Sequence, residues 1–406
     1  MNALERFLSI SSFERPNDPF FWSVDAWFDA YKRWMLEGMP VAHLENRQQI
    51  NDHLLGRINQ KEILAPNSCI TGKGICNNPP WVPPLDPFYD LDVLQDDGVH
   101  ITRVDWDGCI IRMLKEGVTM PQYLEYPVKD RATWNEYKKR LSPFSKGRFP
   151  SGWEYMDARL TDFVLDPALD GQPWSHRDFP LGMFCMSLWG IPRNYMGVEE
   201  LAYLMSDDPN LVEEMIEHQF YFAMETAKQI FAAGITCEWA FFWEDMCYNK
   251  GPLISPEFVK RVMYPRYRKM CDFLHEHGVK MIMLDCDGDI SMLLPIWLDA
   301  GINCMHPLEV ASNMDMISLR KQYGKNLLLC GGVDKRAIAG SKGDIDAEVL
   351  RVKEMLSHGG YFINMDHHMP DDISYENIVY FLNEVYSLSD YEESRRKIRI
   401  GLTANE

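Results

Sequence analysis

From about residue 175 onward, short apolar runs alternate with helix signals, and this alternation limits the chain's fold more than any other feature. The runs fall at 181–188, 236–243, 279–284, 302–305, 327–330 and 361–365. Their lengths suit strands buried on both faces. The helices between them are punctuated. Asp208-Pro209 offers an N-cap with Pro at the first helical position, and Gly234 closes that segment. Ser255-Pro256-Glu257 opens a second helix that runs to Gly278, and Ser374 caps a third. Repeated strand–helix units make a parallel sheet with helices outside. A further strand is expected upstream, with 99–104 the best candidate. Seven or eight strands favour a closed (β/α)8 barrel of the TIM type over a doubly wound sheet. No G-x-G-x-x-G follows a strand, which also counts against a dinucleotide fold.

The 406 residues suffice for one large α/β domain or two ordinary ones. A net charge of −19 argues against nucleic-acid partners and against a basic membrane-surface role. There is no apolar run long enough to span a bilayer, and the N-terminus has no basic region before an apolar core, so a cytoplasmic location is expected. The ten cysteines form no CxxC and no structural zinc spacing; they read as reduced, mostly buried thiols. Residues 1–100 are rich in Pro and Gly, as at Asn77-Asn78-Pro79-Pro80, yet they carry many aromatic rings. A disordered linker would not. They are expected to be an ordered N-terminal extension packed on a barrel formed by residues 101–406.

The predicted strands end in ionisable residues. Asp285-Cys286-Asp287-Gly288 follows the run 279–284 directly. Two carboxylates that close repel each other and need a cation, a proton or donors if buried. They could bind a divalent metal, orient a cationic group, share a proton, or simply cap the next helix. Glu244-Asp245 ends another run, with Glu238 and Trp243 on the same strand. Glu238 and Glu244 are either buried, and then need partners, or lie on an exposed edge. His306-Pro307-Leu308-Glu309 ends the next strand, and Asp366-His367-His368 the last. Two adjacent histidines cannot face the same way in extended chain, so one at most is expected to enter a pocket. Imidazole is both the commonest metal ligand and the near-neutral acid or base. Gly331-Gly332-Val333-Asp334-Lys335 offers glycines that either admit a ligand to the backbone or serve a tight turn. Together these strand ends predict one pocket at the carboxyl edge of a parallel sheet.

In this order, these residues resemble the uroporphyrinogen decarboxylase superfamily, and within it the methyltransferase-like branch that serves corrinoid proteins. The resemblance takes in Phe13-Glu14-Arg15-Pro16, Arg33-Trp34-Met35-Leu36, Asp207-Asp208-Pro209, Ile254-Ser255-Pro256-Glu257-Phe258, Asp287-Gly288-Asp289, Gly331-Gly332-Val333-Asp334 and Ser374-Tyr375-Glu376-Asn377. It implies a (β/α)8 barrel with its site at the strand carboxyl ends. The zinc methyltransferases of the superfamily hold their metal by a His-x-Cys pair and a later Cys. Asp285 stands where that His would fall, Asp287 where the first Cys would fall, and His367 near the later Cys. The arginine-rich N-terminal motif of true uroporphyrinogen decarboxylases is not found here.

The expected activity is methyl transfer from a small methylated compound, such as a methoxylated aromatic, to a corrinoid-binding protein. Glu244, His367 and His306 are the candidate acid–base residues; Glu238, Trp243 and Asp334 are candidates for substrate contact. Asp285, Asp287 and His367 are candidate ligands of a metal, with Zn2+ one candidate. Oxygen and nitrogen ligands suit a hard or borderline cation. A decarboxylase of another substrate is the alternative and would need cationic anchors such as Arg103, Arg193 or Lys335. A non-catalytic binding protein on the same fold is a third reading. A homodimer is one admissible assembly.

Overall fold

Turn length separates the chain into two kinds of sheet. The computed structural model describes residues 1–24, 26–39, 85–115, 120–145, 180–232 and 236–391. Strands β1 (Val93–Asp96), β2 (His100–Val104), β3 (Ile110–Leu114) and β4 (Gln122–Glu125) form an antiparallel sheet in sequence order. The candidate at 99–104 is therefore a strand, but it lies in this sheet and not in the parallel one. The reason is local. Asp97 Oδ1 accepts from the Val99 and His100 amides at 2.9 and 2.6 Å, and Gly98 takes φ +88°. A turn that tight returns the chain antiparallel; a parallel pair needs a long crossover.

The apolar runs supply the second sheet. It comprises β5 (Gly182–Phe184), β6 (Trp239–Trp243), β9 (Met281–Asp285), β10 (Cys304–His306), β11 (Leu328–Cys330) and β12 (Tyr361–Phe362), ordered β12-β11-β10-β9-β6-β5. All five pairings are parallel. A small hairpin, β7 (Cys247–Tyr248) and β8 (Gly251–Pro252), follows β6.

Alternation sorts the strand side chains onto two faces. Trp239, Phe241, Met281, Met283, Cys304, Leu328, Cys330 and Phe362 form one buried cluster. Ala240, Phe242, Ile282, Leu284, Met305, Leu329 and Ile363 join the larger core with the helices. The N-terminal segment extends the sheet past β12: the Trp22 amide donates to Ile363 O at 2.7 Å and the Ile363 amide to Phe20 O at 2.8 Å, around a parallel bridge from Phe21 to Ile363. Trp22 then meets Trp239 of β6, ring centroids 5.1 Å apart. These two rings come from strands separated by β12, β11, β10 and β9, so the sheet curls strongly with this cluster on its concave side. Gly182 is required there, because a Cβ would lie 1.9 Å from Trp239 Cε2.

The expected caps form. Ser255 accepts from the Glu257 amide ahead of Pro256, Ser374 from the Asn377 amide, and Asp208 Oδ1 from the Leu211 amide. Gly234 and the stretch 77–84 lie outside the described residues. No helix among the described residues is long and apolar enough to cross a membrane.

Candidate active site

Register sets the floor of the site. Asp285 is the last residue of β9 and pairs with Trp243 of β6 on one side and His306 of β10 on the other. All three continue the inward rows of their strands. The ladder runs one step further, with the Glu244 amide donating to Asp285 O at 2.9 Å and the Cys286 amide to His306 O at 3.0 Å. Beyond that step, Asp245 takes φ +42°, a left-handed conformation that Asp tolerates better than most residues.

Asp245, Asp285 and Asp287 offer carboxylate oxygens within 4.8 Å of one another. Each has a partner of opposite or ionisable character. Arg193 donates to Asp245 Oδ2 at 3.1 Å and to its carbonyl at 2.9 Å. His306 Nδ1 lies 3.3 Å from Asp285 Oδ1, and His367 Nε2 lies 3.4 Å from Asp287 Oδ2. Burial, then the charges of Asp285 and Asp287, push Asp245 up to about 7 in spite of Arg193. Burial also works against Asp287, but the His367 hydrogen bond and the charges of His367, His306 and His368 outweigh it and leave this carboxyl below its ordinary value. The Asp287 hydrogen bond in turn raises His367.

The walls are held firmly. A Cβ on Gly288 would lie 2.6 Å from the Tyr248 amide nitrogen, and the Asp289 amide donates to Tyr248 O at 2.9 Å, so the loop carrying Asp287 rests on β7. Glu309 Oε2 accepts from the Gly288 amide at 3.0 Å and from Ser312 at 2.9 Å. Asp366 is fully buried and accepts from the Val310 amide, the Lys335 amide and Lys335 Nζ at 3.1 to 3.2 Å. Trp27 stands against both histidines, 6.5 Å from His367 and 5.2 Å from His368 between ring centroids. The two histidine rings are nearly perpendicular, at 88°.

The structure gathers Asp285, Asp287, His306, His367 and Trp243 of the sequence candidates and sets three others apart. Glu244 is fully enclosed; its carboxylate accepts from Ser187 Oγ, the Leu188 and Trp189 amides and Tyr267 Oη at 2.6 to 2.9 Å. It ties the β5 loop to the helix Tyr264–Glu276 and has no surface left for substrate. Glu238 precedes β6, at the opposite end of the strand from Trp243, and accepts from the Leu181 amide at 2.8 Å. Asp334 caps the helix Lys335–Ala339 and pairs with Arg336. His367 sits against Asp287, and the third member of the carboxylate cluster is Asp245. Sequence reasoning passed over Asp245 for its neighbour, although it lies two residues beyond inward-facing Trp243 and so on the same row. The glycine pair serves packing, since a Cβ on Gly331 would lie 2.0 Å from Pro307 O. Of the possible anchors, Arg103 pairs with Asp105 in the antiparallel sheet, whereas Arg193 and Lys335 border the site.

Oxygen dominates the donor set. Cys286, between the two aspartates, is buried, and its thiol donates to Asp287 O at 3.3 Å. Burial pushes that thiol well above its ordinary value, away from thiolate. Three carboxylates suit a hard or borderline divalent cation. Alternatively, the cluster holds a proton.

The family model described as uroporphyrinogen decarboxylase (URO-D) matches residues 174–388. That span covers β5 through the helix Tyr375–Ser387 and so contains the whole carboxylate cluster. Among solved structures, a methyltransferase from Methanosarcina mazei is similar, with a TM-score of 0.54 and 14% sequence identity over 95% of this chain and 99% of that one. At that identity the likeness is one of fold. No curated protein matches the chain.

Proposed function

Since the chain belongs to the uroporphyrinogen decarboxylase family, we propose that it is a methyltransferase on a (β/α)8-type barrel, taking a methyl group from a small O-methylated compound, such as a methoxylated aromatic. The acceptor is cobalt(I) on a separate corrinoid protein. The cobalt supplies the electron pair for the new carbon–cobalt bond, the carbon–oxygen bond breaks, and the leaving oxygen takes a proton. The observation that carries this reading is the cup of Asp245, Asp285 and Asp287 with His306 and His367 at the strand carboxyl ends. Its donors are oxygen and nitrogen, which suit an oxygen leaving group better than a thiol substrate.

His367 is the proton donor in this reading: Asp287 Oδ2 lies 3.4 Å from its Nε2 and raises it above its ordinary value. Trp243 and Trp27 flank the cup and would enclose an aromatic ring. Asp245, Asp285 and Asp287 would hold a divalent cation, zinc being one candidate. A bound cation supplies Lewis acidity toward the ether oxygen. The decarboxylase reading loses ground, because the cations bordering the cup are already paired: Arg193 with Asp245 and Lys335 with Asp366.

The test is to measure metal content by mass spectrometry on purified protein and to follow methylation of reduced corrinoid by its absorbance across a panel of methoxylated aromatics. Transfer that is lost in Asp285→Asn and Asp287→Asn is expected. No transfer to the protein's own corrinoid partner would overturn the proposal. Unaltered substrate binding by both variants, without turnover in the wild type, would point to a binding protein.

A further inference from the structure

We infer that Asn364 is a positioning residue that fixes the tautomer of His306, so that the neutral ring presents Nδ1–H, not a lone pair, to the carboxylate cup. This deepens the methyl-transfer reading and rests on it only for what the hydrogen bond is used for. His306 is 8% exposed and Asn364 6%, so water does not compete for either. The His306 ring has two nitrogens with different neighbours. Nε2 lies 2.9 Å from Asn364 Nδ2, an amide nitrogen that only donates, so Nε2 must be bare. Nδ1 has no well-formed hydrogen bond and points at Asp285 Oδ1, 3.3 Å away. A carboxylate oxygen carries only lone pairs, so a bare Nδ1 would set lone pair against lone pair.

Both neighbours therefore ask for the same tautomer. The amide is itself oriented from the N-terminal segment, where Ser23, 1% exposed, donates to Asn364 Oδ1 at 3.1 Å. The chain Ser23–Asn364–His306–Asp285 runs from the segment beside β12 to the floor of the site.

The consequence divides the two histidines. His306 with hydrogen on Nδ1 cannot ligate a cation in the cup through that nitrogen. Nor can the neutral ring act as a general acid, since giving up its proton would leave an imidazolate. It is a fixed hydrogen-bond donor, aimed at Asp285 or at an oxygen that displaces it. The proton delivered to substrate comes from His367.

The experiment is long-range proton–nitrogen NMR on the full chain labelled with 15N-histidine, with His306→Gln identifying the His306 signals. A protonated Nδ1 and a bare Nε2 are expected, and titrating in zinc chloride should leave that pattern in place. Asn364→Asp offers only acceptors toward Nε2 while Asp285 still faces Nδ1, so Nε2 should gain a hydrogen and the bare-Nε2 signal should be lost. A bare Nδ1 in the wild type, or loss of the Nδ1 proton when zinc is added, would overturn the inference. The wild-type spectrum decides even if Asn364→Asp does not fold. No turnover enters the readout, so a protein with the expected tautomer that transfers no methyl group would defeat the proposed activity and not this assignment.

Discussion

Replacing Glu244 separates a structural tie from a catalytic acid. The side chain is fully buried and accepts four hydrogen bonds of 2.6 to 2.9 Å. Two of the donors, the Leu188 and Trp189 amides, are fixed in the backbone, and of these only the Trp189 amide has a second acceptor, Ser187 Oγ. In Glu244→Ala the Leu188 amide would be left buried without a partner, at about 1–3 kcal/mol, whereas the Trp189 amide keeps Ser187 Oγ at 3.1 Å. Ser187 and Tyr267 can reorient in part and are left out. Relief from holding a buried carboxylate offsets some of the loss; burial raises this carboxyl even against its four donors. The expected net cost of Glu244→Ala is about 1–3 kcal/mol. Glu244→Gln keeps one acceptor oxygen and should lose about 1–2 kcal/mol. Urea denaturation followed by tryptophan fluorescence measures both, beside turnover of the same preparations. The reasoning expects Glu244→Gln to keep most of its turnover while its midpoint falls. A Gln variant as stable as wild type whose rate drops by about the 10²–10⁴-fold typical of a lost acid or base would refute it.

Three further outcomes are expected. Asp245 has a folded value of about 7 against an ordinary 3.8, so between those pH values the native state binds more protons than the unfolded chain. Its contribution to stability falls as pH rises through that window, by at most roughly 4 kcal/mol. In chelator-treated protein, Asp245→Asn should flatten the fall in urea midpoint from pH 4 to 7; parallel slopes would count against it. His367 is raised by Asp287, so wild-type turnover should decline as pH climbs above the ordinary histidine range. His367→Gln should lose about 10²-fold or more and lack that decline, and a full-rate variant would remove His367 as donor. Gly182→Ala puts a methyl 1.9 Å from Trp239 Cε2 and should cost about 3 kcal/mol, partly recovered by adding Trp239→Phe; thermal melts unchanged from wild type would contradict the packing.

The parts of the fold that were legible are those fixed by local pattern. Six apolar runs gave six parallel strands, and Asp208, Ser255 and Ser374 cap the helices expected of them. Alternation says that a segment is extended and not which way its neighbour runs, hence the misplacement of 99–104. The turn signal was available in Asp96-Asp97-Gly98, where an Asp-Gly pair between apolar stretches marks a hairpin. The same period of two would have chosen Asp245 over Glu244, because it extends the inward row of Trp239, Phe241 and Trp243. What no local pattern could supply is the second set of partners. Ser23 reaches Asn364 across 341 positions of chain, and Trp27 reaches His367 and His368 from as far away.

The charge balance of the cup bears on what can enter it. Asp245, Asp285 and Asp287 bring three negative charges when ionised; Arg193 offsets one, and His367, raised by Asp287, offsets another whenever it is charged. If His306 is neutral, one charge remains uncompensated, and Glu309 close by adds to it while Lys335 is taken up by Asp366. A substrate carboxylate brought within about 5 Å of that excess meets a repulsion of roughly 3 kcal/mol per charge pair at an effective dielectric near 20. Two such groups would cost about a factor of 10⁴ in binding. A porphyrinogen bearing many carboxylates is therefore a poor fit, even though the family takes its name from one. A neutral ether is unaffected in its ground state. It becomes demanding only when the carbon–oxygen bond stretches and the leaving oxygen gathers negative charge beside Asp285. In the proposed methyl transfer, that is the moment at which a proton from His367, or a cation on the three carboxylates, would have the most to neutralise, so an acidity that disfavours anionic substrates would also raise the demand on the donor.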